Sequence, residues 1–418
     1  MKQKKNVVVM STMYYPDMGA PSAVIDKYIK ALNCVYNFYY ITKTYKGHSE
    51  FVNKENVLYI SSIWHKLLMF CNKNQNKVVT TIILAFINAH KLLMTQICNP
   101  NANSWESSSY YNVLESLHSK KRIDCVISVS NTVFTQFAAM RFKKKHPDIR
   151  WVNFVTDPYT ANYVYYRYKS FKGLWKKIFK KTEKSFYLHA DVNLMCPEMY
   201  EYARNALSIP LSKLVCMNFI LNEEYKYFSS NVHVDEKVKF VYAGTVYKDV
   251  RNPQFMLNTI SQIANSVTDL FVKKGECEDM LINLPKNINR YEFVSSEEYG
   301  RMICEKYDIL LSIGNRNTIQ FPSKTLDLIS TGKPIINFYF EKNSQYEMIE
   351  QYPLGINIAE GDLNAKSVIT NFCQKFKGKR LSFETIKYIF PQNVFENQLK
   401  TFKNNIDIIS VSYTHLTL

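Results

Sequence analysis

The sequence predicts an α/β protein with two doubly wound, parallel-sheet domains in tandem. Its 418 residues exceed what one hydrophobic core ordinarily serves. Short β-branched and aromatic runs alternate with helix-period stretches along nearly the whole chain, as in parallel strands joined by crossover helices. Several of these runs are apolar throughout, as strands covered on both faces should be.

In the first half the predicted strands are NVVVMST, FYYITK, NVLYISS, DCVISVS, WVNFVTD, DVNLMCP and LVCMNF. Helices are expected between them, for example over 20 to 33, 132 to 145 and 197 to 207. The basic start MKQKKNVVVMSTMYYP has a short apolar run leading into a polar turn, not into a small-residue cleavage site, so it reads as a strand and not a signal peptide. The longest apolar stretch, VVTTIILAFINAHKLLM, is interrupted by Asn88, His90 and Lys91. It falls short of a spanning helix and reads as a core or interfacial one.

LNEEYKYFSSNVHVDEK is polar and aperiodic and reads as a linker. The expected organisation is therefore a first domain over 1–222, a linker over 223–237 and a second domain over 238–390. KFVYAGT, DLFVKKG, RYEFVS, DILLSIG, KPIINFY and GINIA supply the second set of strands. Ser295 with Glu298 forms a capping-box pattern that predicts a helix start. A final helix is expected within 391–410. The tail VSYTHLTL, 411–418, looks like a translated transposase adapter from a sequencing library and is set aside as non-native.

The formal charge is +17, which favours acidic partners such as nucleic acid, anionic lipid or phosphorylated substrates. Richness in Lys, Asn, Ile and Tyr is also what an AT-rich genome produces, so clustering says more than the total. The nine cysteines show no C-x-x-C pair and no histidine cluster at metal spacing. That pattern points to a reducing cytoplasm and no structural zinc.

Two open parallel sheets place ligands at the carboxyl ends of strands, so strand-to-helix loops hold the candidates. Gly19, where strand one meets a helix, could bring backbone amides to an anion or serve only a turn. Gly244 ends a strand, with Lys248 and Arg251 in the following loop; two cations there suit a diphosphate. Gly275 sits in a third such loop. In PSKTLDLISTGKPIINFY, Pro322 suits a first helical turn, Ser323 and Lys324 make a phosphate seat, and Asp327, one turn on, could accept from a ribose diol. The bland alternative is an exposed Lys and Asp pair on a helix. Asp157 ends a first-domain strand, where it could orient or deprotonate an acceptor hydroxyl or simply open an Asp-Pro turn. The stretch around Lys172, Trp175, Lys176, Lys177, Lys180 and Lys181 reads as a basic, aromatic membrane-surface helix or as a core-packed helix with solvated lysines.

YYPDMGAPS, FVYAGTVYKDVRNPQ, YDILLSIGN and above all PSKTLDLISTGKPIINF resemble the retaining GT-B glycosyltransferases of the large family four, especially those building bacterial capsule and other surface polysaccharides. The similarity runs to about residue 410. It implies two Rossmann-like domains facing across a cleft, the second binding a nucleotide-sugar donor and the first an acceptor, with the last helix crossing back to the first domain. It also implies same-face attack with retention, no metal or other cofactor, and hexosyl transfer. Lys324, helped by Arg251 and Lys248, would stabilise the leaving diphosphate, with Asp157 on the acceptor. Gly19, Gly244, Gly275, Ser323 and Asp327 would complete the donor site.

The sequence departs from that pattern at three places. The first of the usual paired acids falls on Ile319 and the second on Asp327, Thr245 replaces an arginine, and Ala20 replaces a glycine. The expected partners are a nucleotide sugar, a lipid-linked glycan and an anionic membrane at the cytoplasmic face of the plasma membrane, and not nucleic acid. Two alternatives remain open, a sugar-nucleotide epimerase on the same fold and a basic nucleic-acid-binding protein.

Overall fold

The apolar runs form strands in both halves of the chain. The computed structural model describes residues 4–407 apart from 15–17, 44–55, 61–62, 74–75, 100–104, 131, 163–164, 167–168, 229–235, 293, 295, 317–318, 320 and 323. It divides into two compact units, Met1–Met217 with Leu399–Leu418, and Asn218–Gln398.

The first unit holds β1 (Asn6–Met10), β2 (Asn37–Lys43), β3 (Val57–Ile60), β4 (Cys125–Val129), β5 (Arg150–Val155), β6 (Val192–Met195) and β7 (Leu214–Cys216). They form one parallel sheet in the order β3-β2-β1-β4-β5-β6-β7. Helices Ala20–Leu32, Trp105–Lys120, Phe134–Lys145 and Lys172–His189 follow or precede its strands. All of β4 and β5 is buried, which explains why these runs are apolar without alternation. The polar exceptions satisfy one another: Asn153 donates to Asn193 at 2.9 Å and accepts from Gln136 at 2.9 Å.

The last helix, Phe395–Asp407, carries the fully buried Phe402, whose ring stacks on Tyr28 at 5.0 Å. Arg150 Nε donates to the Asn405 carbonyl. These contacts place the later part of the helix in the first unit. Residues 411–418, the expected foreign tail, lie outside the described residues.

The second unit holds β8 (Val238–Ala243), β9 (Ser266–Phe271), β10 (Ile288–Tyr291), β11 (Ile309–Ile313), β12 (Ile335–Tyr339) and β13 (Gly355–Ala359). Their order is β10-β9-β8-β11-β12-β13, again all parallel. Successive residues serve two cores, because side chains alternate across a sheet. Phe240, Leu311 and Phe338 face one cluster, and Val241, Leu310 and Ile335 face the other. The helix Ser296–Glu305 starts directly after Ser295, which is itself outside the described residues.

The expected linker is corrected in part. Its first residues form the short 3-10 helix Glu223–Tyr227, and the second unit begins at Asn218, ahead of the expected boundary. Leu221 and Tyr225 are the physical reason, since both are buried in a core of the second unit. A polar composition concealed two anchors at helical spacing.

Candidate active site

In each sheet the strand order reverses beside the first strand of its unit, between β1 and β4 and between β8 and β11. Open α/β sheets bind ligands at such switch points, outside the carboxyl ends of the strands. In the second unit a cavity of about 600 Å³ opens there, within the usual size range for a small-molecule site. The ends of β8 (Tyr242, Ala243), β9 (Phe271) and β11 (Leu311 to Ile313) form its floor. Tyr225 and Phe228 from the former linker, Tyr299 and the start of the helix Lys324–Ser330 complete its walls.

Four charged residues line this largely aromatic and aliphatic cavity: Glu224, Arg251, Lys324 and Asp327. Arg251 is held from several sides. The loop after β8 folds back on itself, with Tyr247 and Arg251 exchanging backbone hydrogen bonds at 3.1 and 3.0 Å. Both Nε and Nη2 of Arg251 donate to Asn315 Oδ1, at 3.0 and 2.7 Å. Asn315 is itself buried just beyond β11, and Arg316 N donates to the Val250 carbonyl at 2.8 Å. The two loops are thus stitched together, and the guanidinium is fixed before any ligand arrives.

Lys324 is accessible to solvent as a residue, yet it sits in a concave wall whose desolvation is the main cause holding its pKa below the ordinary lysine value. Asp327 opposes that shift and Arg251 adds to it. Its ammonium lies 5.8 Å from the centre of the Tyr299 ring. Asp327 offsets the repulsion between the two cations in the empty site, and both cations would attract an anion bound beside them. The helix Lys324–Ser330 has only seven residues, so fixed side-chain charge, not a long helix dipole, carries this attraction. Asp327 also raises the pKa of Tyr225 and Tyr299, after burial, which is the larger cause for both.

Two buried hydroxyls on the cavity wall were not singled out from the sequence. Tyr242 is 3% exposed and Thr325 1% exposed, and neither Tyr242 Oη nor Thr325 Oγ1 makes a hydrogen bond of ordinary geometry. Burial raises the Tyr242 pKa, with the nearby Arg251 opposing. A buried hydroxyl poorly supplied with partners is disfavoured; Tyr242 Oη has the Arg251 guanidinium beside it, and both residues line the cavity.

The comparisons with known proteins come from structure. No family model matches the sequence, and no curated protein matches it. A glycosyltransferase from Rickettsia africae is similar with a TM-score of 0.64 at 12% identity, over 98% of this chain and 100% of that one. The lipopolysaccharide outer core galactosyltransferase WaaB is similar with a TM-score of 0.61 at 12% identity, over 96% and 99%. Anabaena HepE, solved in complex with UDP-glucose, gives 0.59 at 9% identity, over 96% and 99%.

The fold is GT-B.

Within this GT-B chain the predicted site residues divide between the two units. Arg251, Lys324 and Asp327 line the cavity of the second unit together. Gly244 adjoins it: a Cβ there would lie 3.0 Å from Tyr242 Oη and 3.7 Å from Arg251 Nη1, while its amide is taken by the Phe271 carbonyl at 3.2 Å. Lys248 and Gly275 are not among the lining residues. Lys248 pairs with Asp279 at 2.9 Å on the surface, and the Gly275 carbonyl accepts from Glu278 N. Ser323 lies outside the described residues, and Ile319 lies in the turn before it, half-buried.

Gly19 and Asp157 belong to the first unit. Gly19 caps the helix Ala20–Leu32 in extended conformation and gives its amide to the Met13 carbonyl at 3.1 Å. Asp157 follows β5 and accepts from Thr156 Oγ1 at 3.3 Å. Among the described residues no group of three or more His, Cys, Asp or Glu could hold a metal ion.

Tyr242→Phe separates a packing role from a binding role. The free variant is expected to melt within a few degrees of the parent, because the buried hydroxyl makes no hydrogen bond of ordinary geometry and has only Arg251 beside it. Its stabilisation by a bound nucleotide sugar should shrink. A variant that melts lower and responds to ligand as the parent does would make the hydroxyl structural.

Proposed function

We propose that this chain is a glycosyltransferase that moves a hexosyl group from a nucleotide-sugar donor to a lipid-linked or oligosaccharide acceptor in cell-surface polysaccharide synthesis. The observation that carries the reading is that Arg251 and Lys324 line one cavity, rich in aromatic residues, at the β8/β11 switch point. An aromatic wall suits a base and sugar, and the two cations suit a diphosphate. The UDP-glucose bound to the structural neighbour HepE supports the same donor class.

The chemistry follows from where charge develops. As the anomeric bond breaks, negative charge grows on the diphosphate oxygen that leaves. Cations fixed beforehand stabilise that charge without reorganising at the moment of reaction. Arg251, anchored by Asn315, and Lys324, whose depressed pKa reflects a drier setting, supply it. Asp327 accepts from the ribose diol. Asp157 orients the acceptor hydroxyl. The reading assigns retention by same-face attack and no metal. It also places the enzyme in the cytoplasm, against the inner face of the plasma membrane, held by the exposed lysines Lys172, Lys176, Lys177, Lys180 and Lys181 beside Trp175.

A thermal-shift panel of UDP-, GDP- and TDP-sugars tests the donor assignment. One class is expected to raise the melting temperature of the parent, and Lys324→Ala should abolish most of that rise. If no nucleotide sugar stabilises the parent, or the variant responds identically, the assignment is wrong.

A further inference from the structure

The helix Lys77–Ile97 is long and apolar enough to cross a membrane by length and composition, yet it buries only Ile87 among its own residues. Its outward surface is the apolar one. Val78, Ile82, Phe86, Leu93 and Ile97 are 62 to 68% exposed, and their spacing puts them on one face at 3.6 residues per turn. This arrangement inverts that of an ordinary surface helix, which turns polar residues to water.

The charge of this helix and of the segment bonded to it favours an anionic cover. No Asp or Glu occurs from Asn56 to Trp105, nor from Pro158 to Thr182. The two acid-free segments are clipped together. Lys169 Nζ donates to the carbonyls of Thr95 and Cys98 at 2.5 and 2.9 Å, Ser170 N donates to Gln96 Oε1 at 2.8 Å, and Asn99 Nδ2 donates to Thr182 Oγ1 at 3.0 Å. The end of the apolar helix is therefore joined to the start and middle of the basic helix Lys172–His189. The acid on that basic helix, Glu183, is turned inward, where it accepts from Tyr159 N, Thr160 N, Tyr187 Oη and Tyr202 Oη. Lys172, Lys176, Lys177, Lys180 and Lys181 stay exposed, with Phe171 at 82% and Leu174 at 59%.

We infer that the helix Lys77–Ile97 is an in-plane membrane anchor, lying in the surface of an anionic bilayer with its outer face about 5 to 10 Å deep and the neighbouring lysines on the headgroups. The inference rests on the membrane part of the reading above and not on the donor site. A second copy of the chain fits the surface poorly, because two cationic rims would meet. A spanning arrangement fails on length. The chain enters from β3 through the helix Ile63–Lys73, which packs against Lys77–Ile97 and has 11 residues, about 16 Å. A hydrocarbon core is about 30 Å thick, and the far end of Lys77–Ile97 is clipped to the same unit from which the chain set out.

Sedimentation of the full chain with vesicles of phosphatidylglycerol mixed with phosphatidylcholine, and with phosphatidylcholine alone, tests this. Binding is expected to the mixed vesicles. The triple variant Ile82→Asp, Phe86→Asp, Leu93→Asp should weaken it by at least about tenfold while remaining folded and keeping its response to nucleotide sugars, since it alters only exposed residues remote in sequence from the donor cavity. Replacing Lys176, Lys177, Lys180 and Lys181 with Glu should remove the preference for phosphatidylglycerol. Unchanged sedimentation of the triple variant overturns the anchor. So does a parent that ignores vesicles but is a dimer in solution that the triple variant dissociates, which would assign the face to a second copy. Loss of the nucleotide-sugar response in the parent, with vesicle binding intact, would overturn the donor site and leave the anchor standing.

Discussion

Arg251→Ala is expected to lower sugar transfer, measured as kcat/KM with the nucleotide sugar that most stabilises the parent, by about 100- to 1000-fold, the effect of removing one fixed donor from a developing negative charge. Position matters as much as charge here. The guanidinium reaches the cavity because its loop closes on itself between Tyr247 and Arg251 and because Asn315 Oδ1 accepts from it twice. Lysine offers one flexible ammonium in place of a planar fork, so Arg251→Lys should recover only a minor part of the activity. Asn315→Ala leaves the charge and removes its anchor, and should fall between the parent and Arg251→Ala. A melting temperature close to that of the parent for Arg251→Ala would confirm that the loss is local. Full activity in Arg251→Ala would move the leaving-group charge elsewhere, with Lys324 the remaining cation of the cavity wall among the described residues.

Much of the scaffold was legible because parallel strands buried on both faces are apolar at nearly every position. NVVVMST, DCVISVS and DILLSIG could be little else. The charged half of the site was legible for a related reason: a strand end followed by Arg or Lys places a cation at the only edge where an open sheet binds ligands. What stayed hidden depended on partners distant in sequence. Nothing local marks Asn315 as the clamp of Arg251, although it directly follows the glycine that ends DILLSIG. Tyr242 and Thr325 look like strand and helix residues until both are found lining the cavity. Lys248, equal to Arg251 by sequence, is drawn away by Asp279. The helix Lys77–Ile97 shows the limit most clearly, since its composition is the same whether its apolar face turns to a core or away from one.

The back of the cavity depends on a glycine, and Gly332→Ala is expected to destabilise the second unit by roughly 3 to 5 kcal/mol. Two effects add. Gly332 holds φ at +77°, a left-handed conformation that costs a residue with a Cβ about 1 to 2 kcal/mol. A Cβ there would also lie 2.2 Å from the Leu381 carbonyl oxygen, and that strand of backbone has little freedom to withdraw because Leu381 N donates to the Gly332 carbonyl at 2.9 Å. The neighbouring Arg380 donates to the carbonyls of Thr331, Phe228 and Tyr225 at 2.7, 2.9 and 2.9 Å, so displacement of this turn is passed to two aromatic residues of the cavity wall. Gly361 supplies the control. Its φ is +84°, but nothing lies within 4 Å of its Cβ position, so Gly361→Ala should show the backbone term alone, about 1 to 2 kcal/mol. Urea unfolding of both variants beside the parent measures the difference, and the nucleotide-sugar response should be lost in Gly332→Ala and kept in Gly361→Ala. Equal destabilisation by the two would show that the turn yields to a methyl group, and that the contact with Leu381 does not hold the cavity wall in place.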